Sequence, residues 1–164
     1  MSMHIANGRW VVWLSLLGAM LLQIMPLPDI VEAWRPDWLL LVIIYWAMAL
    51  PHRYNILSAF ALGVMLDILL GAHLGIRALA MSLVVYVVVL HFQRLRNFPM
   101  WQQALMISSL VCLHHLVVFW VQFAVSTATV TFDVNLFLPA ISSLIIWPWV
   151  FWMLRRLRRL YKVR

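Results

Sequence analysis

Long apolar stretches separated by short polar segments run along the whole chain. They lie near residues 10–26, 37–50, 55–71, 76–93, 101–124 and 136–154, with Pro, Gly or Asn at most boundaries, including Asn135 as a predicted helix N-cap. In lipid a helix satisfies its own backbone polar groups, whereas an open strand edge does not, so each stretch predicts a helix. The pattern therefore predicts a single transmembrane domain over 1–164, an all-α polytopic membrane protein folded as a compact six-transmembrane-helix bundle with a tail at 155–164.

The second stretch is the shortest. At about 1.5 Å per residue, its roughly 14 residues extend only about 21 Å, less than the ~30 Å of a hydrocarbon layer. If it spans, we expect it to tilt little or to thin the bilayer.

Composition excludes a soluble globular protein. Of 164 residues, 66% are hydrophobic and 10% are charged, whereas soluble domains have about 45–50% and about 25%. Cys112 is the only cysteine, so neither an internal disulfide nor a cysteine-based metal site can form. The first stretch is followed by Pro26, Pro28 and Asp29 rather than a small-residue cleavage pattern, which predicts an uncleaved span.

The basic residues predict an orientation. The chain has 12 Lys and Arg against 5 Asp and Glu. With six crossings and a cytoplasmic N-terminus, only Arg35 and Arg77 fall outside, and the positive-inside rule favours this arrangement. The residues placed inside are Arg9, Arg53, Arg94, Arg96, Arg155, Arg156, Arg158, Arg159, Lys162 and Arg164. We therefore expect a multi-pass membrane protein with both termini cytoplasmic, and no nucleic-acid partner.

Asp67 lies within the third predicted helix. Gly63, Asp67 and Gly71 follow at i, i+4 and i+8 on one face, which Ala59 extends. Small residues let a second helix approach closely, so the carboxylate is expected to face a helix contact rather than lipid. We consider four roles: an ion pair with Arg77 just after Gly75, a bond to His73, recognition of a partner, and proton or ion transport.

Other chemistry-bearing residues predict structural roles. His114 and His115 are adjacent and diverge by about 100° around a helix, so they cannot form an i, i+4 metal pair and are expected to hydrogen-bond across helices. We predict no catalytic residue, metal or cofactor. The basic tail, with apolar Leu154, Leu157 and Leu160 on one side, predicts either an anchor to anionic lipid or a cytoplasmic docking site.

Tryptophans are predicted to form two interfacial belts. Such side chains collect where hydrocarbon meets the headgroups. The inner set is Trp10, Trp13, Trp101, Trp147, Trp149 and Trp152, and the outer set is Trp34, Trp38 and Trp120.

Three stretches together resemble one family. They are Trp34-Arg35-Pro36-Asp37-Trp38 with Tyr45-Trp46 and Pro51-His52-Arg53, then the series Gly63, Asp67, Gly71 and Gly75, and finally RLRNFPMWQQ from Arg94 to Gln103. The chain resembles the MreD family of small integral-membrane rod shape-determining proteins over nearly its whole length. The structural or partner-binding candidates are Trp34, Arg35, Pro36, Asp37, Trp38, Gly63, Gly71, Gly75, Asp67 and Arg77.

The resemblance implies a non-enzymatic scaffold of the bacterial cell-elongation machinery. Implied partners are MreC, a RodA-type glycosyltransferase with its class B penicillin-binding transpeptidase, and the MreB cytoskeleton. The family is also similar in fold to the S components of energy-coupling-factor transporters, so a small-solute-binding or transport protein is the alternative. A scaffold should have the Asp67 face packed, whereas an S component should have an outward-facing polar cavity.

Overall fold

The computed structural model describes residues 8–126 and 131–163, and over these ranges it is helical without any strand. The elements are α1 (Arg9–Ile24), α2 (Asp29–Glu32), α3 (Trp38–Ala49), α4 (Ile56–Leu69), α5 (Ile76–Asn97), α6 (Met100–Val125), a 3-10 turn (Val134–Phe137) and α7 (Leu138–Leu160). The all-helical fold predicted from the apolar pattern is confirmed.

Helix α3 is the core of the bundle. Every residue from Leu39 to Met48 is buried, and the helix packs against α1, α5 and α7. A helix that is apolar on all sides needs apolar neighbours on all sides. Here the neighbouring helices provide these apolar surroundings, so α3, which is about 18 Å long, does not have to match the thickness of the bilayer.

The remaining helices pack in chain order. α4 contacts α5, α5 contacts α6, and α6 contacts α7. Gly8 lies against Val163, and Gln103 Nε2 donates to the carbonyl of Leu95 at 3.0 Å. One end of the bundle therefore collects the start of α1 and α6 and the end of α5 and α7. We call it the basic end, and its described cations include Arg9, Arg94, Arg96, Arg155, Arg156, Arg158, Arg159 and Lys162.

Among the residues that the structure describes, three helical segments are long and apolar enough to cross a membrane, namely α5, α6, and α7 with its preceding 3-10 turn. α1, α3 and α4 are apolar but shorter, with 16, 12 and 14 residues. The number of crossings thus stays a prediction.

Two predicted boundaries were wrong. α4 ends at Leu69, so Gly71 belongs to the following turn and not to the helical face of Gly63 and Asp67. Asn135 is not the N-cap of the last helix, because it lies in the 3-10 turn, where Asp133 Oδ1 accepts its backbone N–H at 3.0 Å.

Tryptophan placement was partly wrong. Trp147, predicted at the inner interface, is fully buried, and its Nε1 donates to Gln103 Oε1 at 3.3 Å. Buried indoles need such a hydrogen-bond partner. Trp101, Trp149 and Trp152 are exposed, as side chains that face lipid would be.

Candidate functional site

The contact between α4 and α5 is close because Gly63 lacks a side chain. A Cβ built on Gly63 would lie 2.4 Å from the Cα of Ala78. Ala59, one turn earlier, is completely buried. The small residues of α4 therefore face α5, and the backbones meet at this crossing.

The turn from Gly71 to Gly75 brings α5 back over the end of α4. Gly71 has φ +62° and Gly75 has φ +95°, a left-handed region that glycine enters without the steric cost of a Cβ. Gly75 is the N-cap residue of α5. The turn thus places the first N–H groups of α5 beside the last turn of α4.

Asp67 accepts hydrogen bonds at this point. Its side chain is completely buried, and Oδ2 accepts from the N–H of Gly75 at 3.0 Å and of Ala78 at 3.4 Å. Oδ1 lies 3.7 Å from Nη1 of Arg77. A carboxylate at a helix N-terminus is stabilised by the free N–H groups and by the helix dipole. No bond from Asp67 to His73 occurs among the described residues.

A second carboxylate, Asp37, joins helices that are distant in sequence. Its Oδ2 lies 2.6 Å from Nε2 of His115, which joins the start of α3 to α6. Gln23 Nε2 of α1 donates to Asp37 Oδ1 at 3.4 Å. His115 hydrogen-bonds across helices as predicted, whereas His114 Nδ1 is buried without a partner among the described residues.

The Asp37–His115 pair was missed by sequence reasoning, which named no side chain as a contact of Asp37. α3 covers only about 18 Å, so its first residues can lie below the surface of a ~30 Å layer. The signal that could have found the pair was the shortness of the second stretch.

Arg35 ties the α2 segment to the end of α1. It donates to the carbonyl of Gln23 at 2.7 Å and to that of Met25. Its Nη2 also lies 2.6 Å from Glu32 Oε2. Four residues of the region, Gln23, Glu32, Arg35 and Asp37, are thereby linked through side-chain and backbone groups in one network.

This network lines a cavity of about 200 Å³ at the end opposite the basic residues. Arg77, His114 and His115 add to its polar wall. Gln23 Oε1, Arg35 Nε and His114 Nδ1 are buried and have no hydrogen-bond partner within the described part of the chain. The cavity therefore retains hydrogen-bonding capacity, although the sequence alone identified no such site.

The groups that line the cavity can donate and accept hydrogen bonds. Within 8–126 and 131–163, no three His, Cys, Asp or Glu side chains come together as metal ligands would. Of the predicted stretch 34–38, Arg35 and Asp37 face the cavity, Pro36 is buried, Trp38 is half-buried and Trp34 is exposed.

The basic tail lies far from this cavity. α7 continues through Leu160, so Arg155, Arg156, Arg158 and Arg159 are helical, as the sequence predicted. Arg164 lies outside the described residues. The structure thus divides the predicted candidates between opposite ends of the bundle.

Comparison with known proteins covers nearly the full chain. The family model for rod shape-determining protein MreD matches residues 4–157. The Rod shape-determining protein MreD of Haemophilus influenzae is 35% identical over 155 residues, which are 92% of this chain and 94% of that protein. No solved structure matches.

Proposed function

Since the chain belongs to the MreD family of rod shape-determining proteins, we propose that it is a non-enzymatic membrane scaffold of the cell-elongation machinery, which maintains rod shape. The observation that carries the proposal is the family match over nearly the whole chain. A packed helical bundle, in which Asp67 and Asp37 contact groups on neighbouring helices, suits a protein that holds partners.

The proposed setting is the bacterial inner membrane, crossed six times, with both termini cytoplasmic. The basic end then faces the cytoplasm and the cavity of Asp37 and His115 faces the periplasm. Support comes from the charge distribution, because positively charged loops are retained inside.

The proposed partners are those of the elongation complex: MreC, a RodA-type glycosyltransferase with its class B penicillin-binding transpeptidase, and MreB on the cytoplasmic side. We place the periplasmic contact around Trp34, Arg35, Pro36, Asp37 and Trp38. Two features support this position: the unpartnered polar atoms in the cavity wall, and the exposed indole of Trp34, which precedes the cavity-lining Arg35 in the chain.

Co-purification of MreC tests this placement. Trp34→Ala should lower the amount of MreC recovered several-fold and impair rod shape in cells that lack their own copy, while thermal unfolding stays unchanged because the side chain is exposed. Trp120→Ala is the matched control, since this exposed indole on α6 is expected to face lipid. Equal recovery of MreC with both variants would contradict the placement.

The alternative is a solute-binding or transport protein similar to an S component. The polar cavity favours it, but about 200 Å³ is below the about 300–1,000 Å³ of pockets that hold drug-sized ligands, and the Asp67 face is packed. Native mass spectrometry of protein extracted from its own membrane decides the point. A stoichiometric bound solute would support the alternative, and its absence would support the scaffold.

A further inference from the structure

A second cavity, of about 460 Å³, lies at the basic end between α3, α5 and α7. Two kinds of side chain line it. Tyr45, Met48 and Phe151 form an apolar and aromatic wall, and Arg96, Arg155 and Arg158 supply three guanidinium groups. We call it the arginine cavity. The role proposed above does not involve it.

The arginine cavity lacks a counter-charge from the described chain. Within 8–126 and 131–163, none of its three arginines forms a salt bridge with a carboxylate. All carboxylate side chains of the sequence lie towards the other end of the bundle: Asp29, Glu32, Asp37, Asp67 and Asp133. Three cations around one cavity repel one another, so the arrangement favours the entry of an anion.

The shape of the lining indicates an amphiphilic anion. Tyr45, Met48 and Phe151 line one side of the cavity, and apart from the Tyr45 hydroxyl these side chains carry only carbon and sulfur. The guanidinium of Arg155 lies 5.9 Å from the ring centre of Phe151, a cation–π contact that orients it beside the aromatic wall. Planar guanidinium groups bind phosphate oxygens in a bidentate manner. A phosphate joined to an apolar chain matches both halves of the cavity.

The position along α7 agrees with a lipid headgroup. Trp149 and Trp152 are exposed on this helix, at the level where tryptophans mark the membrane interface. Arg155 follows Trp152 by three residues, a rise of about 4.5 Å. The guanidinium groups therefore lie at headgroup depth, just beyond the hydrocarbon.

We propose that the arginine cavity binds the phosphate of an anionic glycerophospholipid, with an acyl chain along Tyr45, Met48 and Phe151. Basic pockets between membrane helices bind such headgroups in general. The site differs from diffuse attraction of the tail to anionic lipid, because it requires particular arginines on two helices.

Thermal unfolding with defined lipids tests the proposal. The full chain, purified in neutral detergent and stripped of lipid, is followed by tryptophan fluorescence while phosphatidylglycerol or phosphatidylcholine is added. Phosphatidylglycerol should raise Tm and phosphatidylcholine should not. The double variant Arg155→Gln with Arg158→Gln should lose at least half of that rise.

Matched variants separate the site from net charge. Arg156→Gln with Arg159→Gln removes the same charge from the same helix, but neither side chain lines the arginine cavity; this variant should keep the rise. On α5, Arg96→Gln should reduce the rise whereas Arg94→Gln should not, and this pair decides the question if the α7 variants do not fold. Equal losses in site and control variants would overturn the proposal. A comparable rise with inorganic phosphate alone would overturn the assignment to lipid.

Discussion

Asp67 and Arg77 form a pair in which the carboxylate has more than one role. Two N–H groups at the start of α5 donate to Asp67, whose second oxygen lies 3.7 Å from the guanidinium. The separation is long for a salt bridge, and the side chain of Arg77 is 29% exposed, so solvent weakens the attraction. Capping of α5 is therefore the larger part of what Asp67 contributes to stability.

Asp67→Ala should lower the free energy of unfolding by about 1–3 kcal/mol, because it leaves buried donors without an acceptor. Asp67→Asn should cost less, since the amide oxygen still accepts from Gly75. Chemical denaturation in detergent measures both. If Asp67→Ala unfolds like the parent yet no longer supports rod shape, recognition of a partner is the main role of Asp67.

Asp37 and His115 should be energetically coupled. A double-mutant cycle of Asp37→Asn and His115→Gln should give a coupling of about 0.5–3 kcal/mol, as contacting polar groups do. His114→Gln with Asp37→Asn is the control cycle, because His114 has no hydrogen bond to Asp37. A larger coupling in the control cycle than in the His115 cycle would refute the pairing as a source of stability.

The two carboxylates differ in how far the sequence could predict them. Asp67 and Arg77 are ten positions apart, so helix periodicity and a short turn were enough to bring them together. Asp37 and His115 are separated by 78 positions, and no local pattern links such residues. Their contact depends on the depth of α3 in the bundle, which is a property of tertiary packing.

Between helices, the α4–α5 crossing depends on Gly63. Gly63→Ala should destabilise the protein by about 1–3 kcal/mol, because the added methyl group meets the Ala78 backbone, which cannot rotate away. Gly18→Ala is the matched control: a Cβ there meets nothing within 4 Å, and alanine favours helix by about 1 kcal/mol over glycine. The denaturant midpoint of Gly63→Ala should therefore fall, and that of Gly18→Ala should rise. Equal midpoints would show that the crossing relaxes without cost.

Helix α3 shows why hydrophobic periodicity cannot predict how the helices are arranged. An apolar run without a polar face indicates surroundings that are apolar on every side, and lipid and protein satisfy it equally. The sequence therefore predicted the helix but not its burial among α1, α5 and α7. Gly63 and Asp67 were more informative. A glycine lets a second helix approach closely, and a charged side chain is costly in lipid, so both residues predict a contact with another helix.

Across the full bundle, charge separates the two ends. The basic end carries the arginine cavity, and the opposite end carries Asp37, Asp67 and their partners. Charge counting along the sequence predicted this division without knowledge of any contact, because it follows from which loops lie on the same side. The cavities themselves depend on packing of distant helices and could not be predicted in this way.

The orientation can be measured with single cysteines in a variant whose native Cys112 is replaced by Ala. Ile30→Cys at the end with Asp37 and His52→Cys at the basic end are suitable, since both side chains are exposed. A membrane-impermeant maleimide should label position 30 in intact cells and position 52 only after permeabilisation, because ten of the 12 basic residues would then lie inside. Labelling of both positions from outside would mean that α3 does not cross the membrane between them.

The basic residues of α7 should contribute to this orientation. Replacing Arg155, Arg156, Arg158 and Arg159 by Gln should weaken the labelling preference, and Lys in their place should restore it, since orientation depends on charge rather than on guanidinium geometry.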